Sequence, residues 1–170
     1  MLNSSEIREL IEKRQLIANY RDLDMQLQPS GFDLSLGEVL AYAGSGSADF
    51  TNEERVIAPS EPLQPDEEGW YSLRPGGYTI VYNEVVNMPL DVAAIARTRS
   101  TLLRNGATVE TAVWDPGYRG RSSSLLVVHN PDGIRLRKDA RVAQLIFFRT
   151  GEVEEGYSGI YQDERTDKES

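Results

Sequence analysis

From about residue 20 onward the chain alternates short apolar stretches with turn-forming clusters, and this rhythm constrains the fold more than any other feature. FDLSLGEVLAY, GWYSL, YTIVYNEVV, VAAIAR, ATVETAVW, SLLVVHN, IRLR and RVAQLIFF are separated by RPGG, NMP, DPG, NPDG and RKD. Proline fixes φ and removes an amide donor, while glycine opens left-handed backbone, so no long helix runs through these clusters. Each apolar stretch reads as one strand. Many short strands at this spacing bury their faces and close their edges as a sandwich or barrel, so an all-β architecture is expected. NSSEIRELIEK departs from the pattern and predicts a short N-terminal helix. Asn3 can cap it, Glu6 can complete a capping box, and Ile7, Leu10 and Ile11 fall on one face.

A chain of 170 residues is long enough for one domain with a substantial core. The β domain is expected over residues 1–150. Residues 43–68 are polar and proline-bearing, which predicts a long surface loop. From Gly151 the sequence becomes polar and glutamate-rich, so 151–170 reads as a mobile tail, yet Tyr157 and Tyr161 within it suggest that it docks on something.

The function classes narrow by charge and residue type. A formal charge of −9 argues against a duplex nucleic-acid binder, which needs a net basic face. The absence of cysteine removes disulfides and thiolate nucleophiles, and a single histidine, His129, removes multi-histidine metal sites and reads as structural. No apolar stretch of signal-peptide or transmembrane length is present, so a soluble, cytoplasmic protein without a membrane partner is expected.

Two segments carry candidate chemistry. In TRSTLLRNG (98–106), Ser100 and Thr101 can begin a helical turn, Leu102 and Leu103 can pack inward, and Asn105-Gly106 can end it. Free N–H groups flanked by Arg99 and Arg104 suit an anion; a capped surface turn with solvated arginines is the plainer alternative. In TAVWDPGYRG (111–120), an apolar run delivers Asp115 to a Pro-Gly turn, followed by Tyr118 and Arg119. An aspartate before proline is a common turn residue. Beside bound phosphates it could also hold and deprotonate a water.

QPSGFDLSLG (28–37), TRSTLLRNG, TAVWDPGYRG, KDARVAQLIFF (138–148) and YSGIYQ (157–162) occur in the order of the motifs shared by dUTPases and dCTP deaminases, and over roughly residues 2–165 the chain resembles that family. The resemblance implies a distorted, jelly-roll-like β-sandwich assembled as a homotrimer with sites at subunit interfaces. It matches Arg99, Ser100, Thr101 and Arg104 to the phosphate-binding segment, Thr101 keeping a hydroxyl where a second serine is usual. It matches Asp115 to the water-activating aspartate and Tyr118 to the aromatic that packs on deoxyribose. Main-chain groups of Ala112, Val113 and Trp114 would read the pyrimidine edge. Asp33, Arg141 and Gln144 match positions that brace the site, and Tyr157 and Tyr161 fall in the closing motif.

Within that family the deaminases place a glutamate on the strand returning from the hairpin. Here that position falls at Leu125 counting forward from Gly120, or near Val127 counting back from Asn130, and no glutamate lies between Glu110 and Glu152. The expected reaction is therefore hydrolysis of dUTP to dUMP and pyrophosphate. Asp115 would activate the water, and Mg2+ would be held mainly through the triphosphate and waters. A dCTP deaminase, alone or combined with dUTP hydrolysis, would need Glu110 or a tail carboxylate as its acid. A third possibility is a catalytically silent nucleotide-binding trimer, because the tail reads YSGIYQDE, with Ile160 and Glu164 where deaminase-like tails often carry lysine and glutamine.

Overall fold

The computed structural model describes residues 1–166; positions 167–170 of the expected tail lie outside the described residues. In chain order the elements are α1 (Ser4–Arg14), β1 (Ile17–Ala18), α2 (Leu23–Gln26), β2 (Leu27–Gln28), β3 (Gly31–Tyr42), β4 (Ser60–Pro62), β5 (Trp70–Leu73), β6 (Gly76–Tyr82), β7 (Val85–Asn87), β8 (Val92–Thr98), α3 (Ser100–Arg104), β9 (Ala107–Glu110), β10 (Arg119–Gly120), β11 (Ser123–Val128), β12 (Ile134–Arg137) and β13 (Arg141–Arg149). The chain is mostly β, as the strand rhythm predicts.

An eight-stranded sheet runs β8-β13-β3-β6-β11-β9, with β2 and β4 added to β3. A three-stranded sheet (β1-β7-β10) and a two-stranded one (β12-β5) complete a sandwich-like arrangement. The paired strands are antiparallel. The core is made by Ile7, Leu10 and Ile11 of α1 with Phe32, Leu34 and Leu36 of β3, Ile80 and Tyr82 of β6, Leu126 of β11, and Leu145 and Phe147 of β13. Helix α1 begins as its sequence dictates: the Asn3 side chain accepts from the Glu6 amide and the Glu6 carboxylate accepts from the Asn3 amide, both at 3.0 Å.

Three features of these strands matter for function. YTIVYNEVV is not one strand: it breaks at Asn83-Glu84 between β6 and β7. ATVETAVW is a strand only to Glu110, after which residues 111–113 leave the sheet and Trp114 returns to pair with Ala94. The alternation F-D-L-S-L places Asp33 and Ser35 on one face of β3, and that polar face is covered: each is only 1% exposed. The cover comes from α2, which the sequence pattern did not reveal, and from the 83–84 break. The long loop over 43–68 also carries order of its own, the strand β4 and a bridge between Ser47 and Val56.

Candidate active site

The anion segment is built around Asp33. Arg99 stands at the N-cap of α3 in extended backbone and forms an ion pair with Asp33, its Nε 3.2 Å from Oδ2, and Arg141 of β13 donates Nη1 to the same oxygen at 3.2 Å. Arg141 Nη1 also reaches the Met25 carbonyl at 2.5 Å. Burial raises the Asp33 carboxyl above its ordinary range and the two arginines oppose that shift. Its Oδ1 is buried without a partner among the described residues. Gln144, half-buried on β13, lies opposite Asp33 in the strand register.

On α3, Ser100, Thr101 and Arg104 are exposed, while Leu102 is buried and fixes the turn to the core. The first intrahelical bonds run from Leu102 and Leu103 to the Arg99 carbonyl, so the amides of Ser100 and Thr101 and the side chains of Ser100, Thr101 and Arg104 have no intrachain partner among the described residues. Gly106 closes the segment at φ 72°, a conformation that costs other residues. Leu103 is exposed rather than packed inward, because a helix this short turns only one leucine to the core.

The hairpin presents Asp115 at its tip, exposed, with its carboxylate free among the described residues; only its main-chain carbonyl is engaged, by the Tyr118 amide at 3.1 Å. Ala112 and Val113 are exposed, and their main-chain groups have no intrachain partner among the described residues. Trp114 differs. Its amide and carbonyl pair with Ala94 at 2.9 Å, and its indole N–H donates to Ser122 Oγ at 3.0 Å. Of the residues expected to read a base edge, Ala112 and Val113 therefore keep free main-chain groups, whereas Trp114 anchors the hairpin to β8.

Tyr118 does not stand open. It is 6% exposed, its ring meets Tyr157 edge-on at 5.7 Å, and its hydroxyl donates to Glu164 Oε1 at 3.0 Å. Residues 156–164 lie along their own hairpin. The Tyr157 amide donates to the Pro116 carbonyl (2.8 Å), Gln162 Nε2 to the Gly117 carbonyl (3.0 Å), and the Asp163 amide to the Arg119 carbonyl (2.8 Å). Arg119 Nη1 reaches Asp163 Oδ1 at 2.6 Å, and Gly120 and Glu164 form a parallel bridge. Gly117, at φ 84°, permits the approach: a Cβ there would stand 2.7 Å from Gly156 Cα. Burial raises the carboxyl of Glu164, and Arg165 opposes it. Tyr161 remains exposed.

No hydrogen bond or ion pair joins the α3 segment to the hairpin among the described residues, and the two stand as separate candidate half-sites on one chain. The sequence reasoning missed Gln162, Asp163 and Glu164 as partners of the hairpin. It also missed the buried Glu84, whose only sequence signal is a carboxylate inside an apolar run. On β11 the burial alternates, so Leu125 and Val127 share the half-buried face, and Glu110 lies directly across from Leu125.

A strand-rich sandwich with an arginine-flanked turn and an aspartate-bearing hairpin defines a class. The dCTP deaminase-like family matches residues 1–150, and the chain belongs to that family, which the sequence motifs link to the dUTPases. Relatives called "Probable deoxyuridine 5'-triphosphate nucleotidohydrolase" match nearly end to end. The one from Methanosarcina barkeri is 52% identical over 168 residues, 98% of each chain, and the one from Archaeoglobus fulgidus is 46% identical over 167 residues, also 98% of each. Among solved structures, a 2'-deoxycytidine 5'-triphosphate deaminase from Agrobacterium tumefaciens superposes with a TM-score of 0.66 at 23% identity, a likeness of fold. That match spans 88% of this chain and 47% of the deaminase.

Proposed function

We propose that the chain is a dUTP diphosphatase, hydrolysing dUTP to dUMP and pyrophosphate. The observation that carries this reading is the exposed carboxylate of Asp115 at the hairpin tip, without a partner among the described residues, together with a return strand β11 whose Leu125 and Val127 supply no acid. The close relatives' names agree with it. Arg99 and Arg104, with the amides and hydroxyls of Ser100 and Thr101, bind and orient the triphosphate. Asp115 takes a proton from a water whose oxygen bonds to the α-phosphorus; the bond from that phosphorus to the α–β bridging oxygen breaks, and pyrophosphate leaves. Tyr118 backs the deoxyribose once the tail shifts, and Tyr157 and Tyr161 close over the nucleotide.

Among the described residues no group of three or more His, Cys, Asp or Glu side chains converges as a metal cage. The donor set suits Mg2+ carried on triphosphate oxygens and waters, with Asp115 the carboxylate available to reach it through water. When bound, Mg2+ would offset phosphate charge and polarise the α-phosphate. The two half-sites on one chain are completed by copies of the same chain, so the working form is a homotrimer. Among the described residues no helix is long and apolar enough to cross a membrane, and we place the enzyme in the cytoplasm, supplying dUMP and keeping uracil out of DNA.

The test is product analysis with dUTP and dCTP offered separately. Pyrophosphate from dUTP supports the reading. Ammonia from dCTP supports a deaminase, a second reading favoured by one observation: Glu110 stands across the ladder from Leu125, beside the position of the missing acid. Neither product would identify a nucleotide-binding trimer. A second expectation concerns the free cation at the end of α3. Arg104→Ala should raise KM for dUTP about tenfold, the loss of one charge-assisted contact, with a smaller change in kcat. An unchanged KM would remove Arg104 from the cradle.

A further inference from the structure

We propose that Glu84 is a positioning residue for the arginine cradle, acting through Gln26 and the turn that α2 makes over Asp33. The inference rests on the reading of Arg99 as part of a phosphate-binding segment that Asp33 and Arg141 brace. Glu84 sits at the break between β6 and β7 and is 0% exposed. No cation pairs with it among the described residues; it collects donors instead. Its Oε1 accepts from Gln26 Nε2 at 2.6 Å and from Ser35 Oγ at 2.5 Å, and its Oε2 accepts from the Ser35 amide at 2.9 Å.

Gln26 is the link. Its Nε2 also donates to the Asp33 carbonyl at 2.8 Å, and its Oε1 accepts from the amides of Arg21 (2.7 Å) and Asp22 (3.0 Å). The amide is therefore committed in all directions, to α2, to β3 and to Glu84. The neighbouring Met25 carbonyl is one of the acceptors of Arg141 Nη1, and the other is Asp33 Oδ2, which also holds Arg99 Nε. The groups that aim both arginines, the Asp33 carboxylate and the Met25 carbonyl, thus belong to residues that Gln26 and Glu84 help hold in register.

The choice of a carboxylate here is informative. Burying one without a cation is costly, and an apolar side chain could fill a strand break at lower cost. Burial raises the carboxyl of Glu84 above its ordinary range, while the donors from Ser35 and Gln26 oppose that shift. What the carboxylate supplies is direction. Several convergent donors select one orientation of the Gln26 amide, whereas an apolar contact would leave α2 free to slide by the fraction of an ångström that misaims a guanidinium.

The variant is Glu84→Gln in the full-length protein. Its new amide nitrogen must take the place of Oε1, meeting the Gln26 Nε2 donor that cannot turn over without losing Arg21 and Asp22, or of Oε2, meeting the Ser35 amide. In either orientation a bond that holds this network is lost with little change of volume. Binding is measured for inorganic tripolyphosphate, which senses the cradle, and for deoxyuridine, which has no phosphate and senses the hairpin. The expected result is about tenfold weaker tripolyphosphate binding with deoxyuridine binding within about twofold of the unaltered chain. Equal losses for both ligands, or no loss for either, would overturn the proposal, because a purely structural role moves both or neither. If Glu84→Gln does not fold, Gln26→Met carries the same test, since it leaves Glu84 with its Ser35 donors and removes every side-chain hydrogen bond of Gln26, to Glu84, Asp33, Arg21 and Asp22. If both variants unfold, Glu84 serves the fold and the proposal fails. If the unaltered chain binds no tripolyphosphate, the phosphate-cradle reading itself is wrong and takes the proposal with it.

Discussion

Asp115→Asn should slow dUTP hydrolysis by about 10²–10⁴-fold, the range for a lost general base, while the protein folds and melts as before. Both halves of this expectation come from the local structure. The side chain is exposed and has no intrachain partner among the described residues, so nothing in the fold depends on its charge; the turn uses the main-chain carbonyl, which asparagine also provides. Asparagine can still accept a hydrogen bond from the attacking water but cannot take its proton. The loss should therefore fall on single-turnover rate and leave nucleotide binding nearly unchanged. Near-normal turnover in this variant would remove Asp115 from the chemistry and return attention to Glu110.

Ending the chain after Arg149 should abolish most of the hydrolysis and leave the sandwich standing. The structure sharpens this expectation, because the tail is docked: residues 156–164 cover the hairpin and bury Tyr118. For substrate to pack on Tyr118 the tail must shift from this position and then close over the nucleotide, excluding water from the phosphates. The Tyr118–Tyr157 edge contact alone is worth about 1 kcal/mol, which for a chain of this length is about 2–4 °C of Tm. The hydrogen bonds from Tyr157, Gln162 and Asp163 to the hairpin go with it, so Tm should fall by at least that much while the sandwich stays folded. Turnover and Tm measured on the same truncated sample separate the outcomes. If activity rises, the docked tail is a plug; if it is unchanged, the tail takes no part in turnover.

Much of the architecture was legible because strand rhythm and turn chemistry act locally. Asn3 and Glu6 make the predicted capping box, and Gly106 takes the predicted left-handed conformation. What failed needed knowledge of distant partners. Period-two alternation marks Asp33 and Ser35 as one face of a strand, but only the tertiary fold reveals that α2 and the 83–84 break cover that face. YTIVYNEVV scored as a strand on composition, and the break at Glu84 is dictated by the donors of Ser35 and Gln26, remote in sequence. Of the candidate site, the turn that begins at Ser100 and the placing of Asp115 at an exposed hairpin tip were readable from residue type and order. The grip of Gln162, Asp163 and Glu164 on the hairpin was not, since polar residues in a tail look the same whether they face water or carbonyl groups.

The place of β3 in the sheet has a consequence for how the two half-sites move. Its first seven residues are buried, and it exchanges ladder bonds with β13 on one side and β6 on the other, with β2 and β4 lengthening its contacts. Amides in such a strand open to solvent only when most of the domain opens with them, so Phe32 to Leu36 should be among the slowest to exchange for deuterium. Residues 111–118 lie outside the ladders apart from the bridge at Trp114, and the amides of Ala112, Val113 and Asp115, exposed and without a partner among the described residues, should exchange far sooner. On the proposed function, the segment that would grip the triphosphate is thus anchored to the last part of the molecule to yield and Asp115 to one of the first, so local breathing would admit and release nucleotide without loosening the arginines.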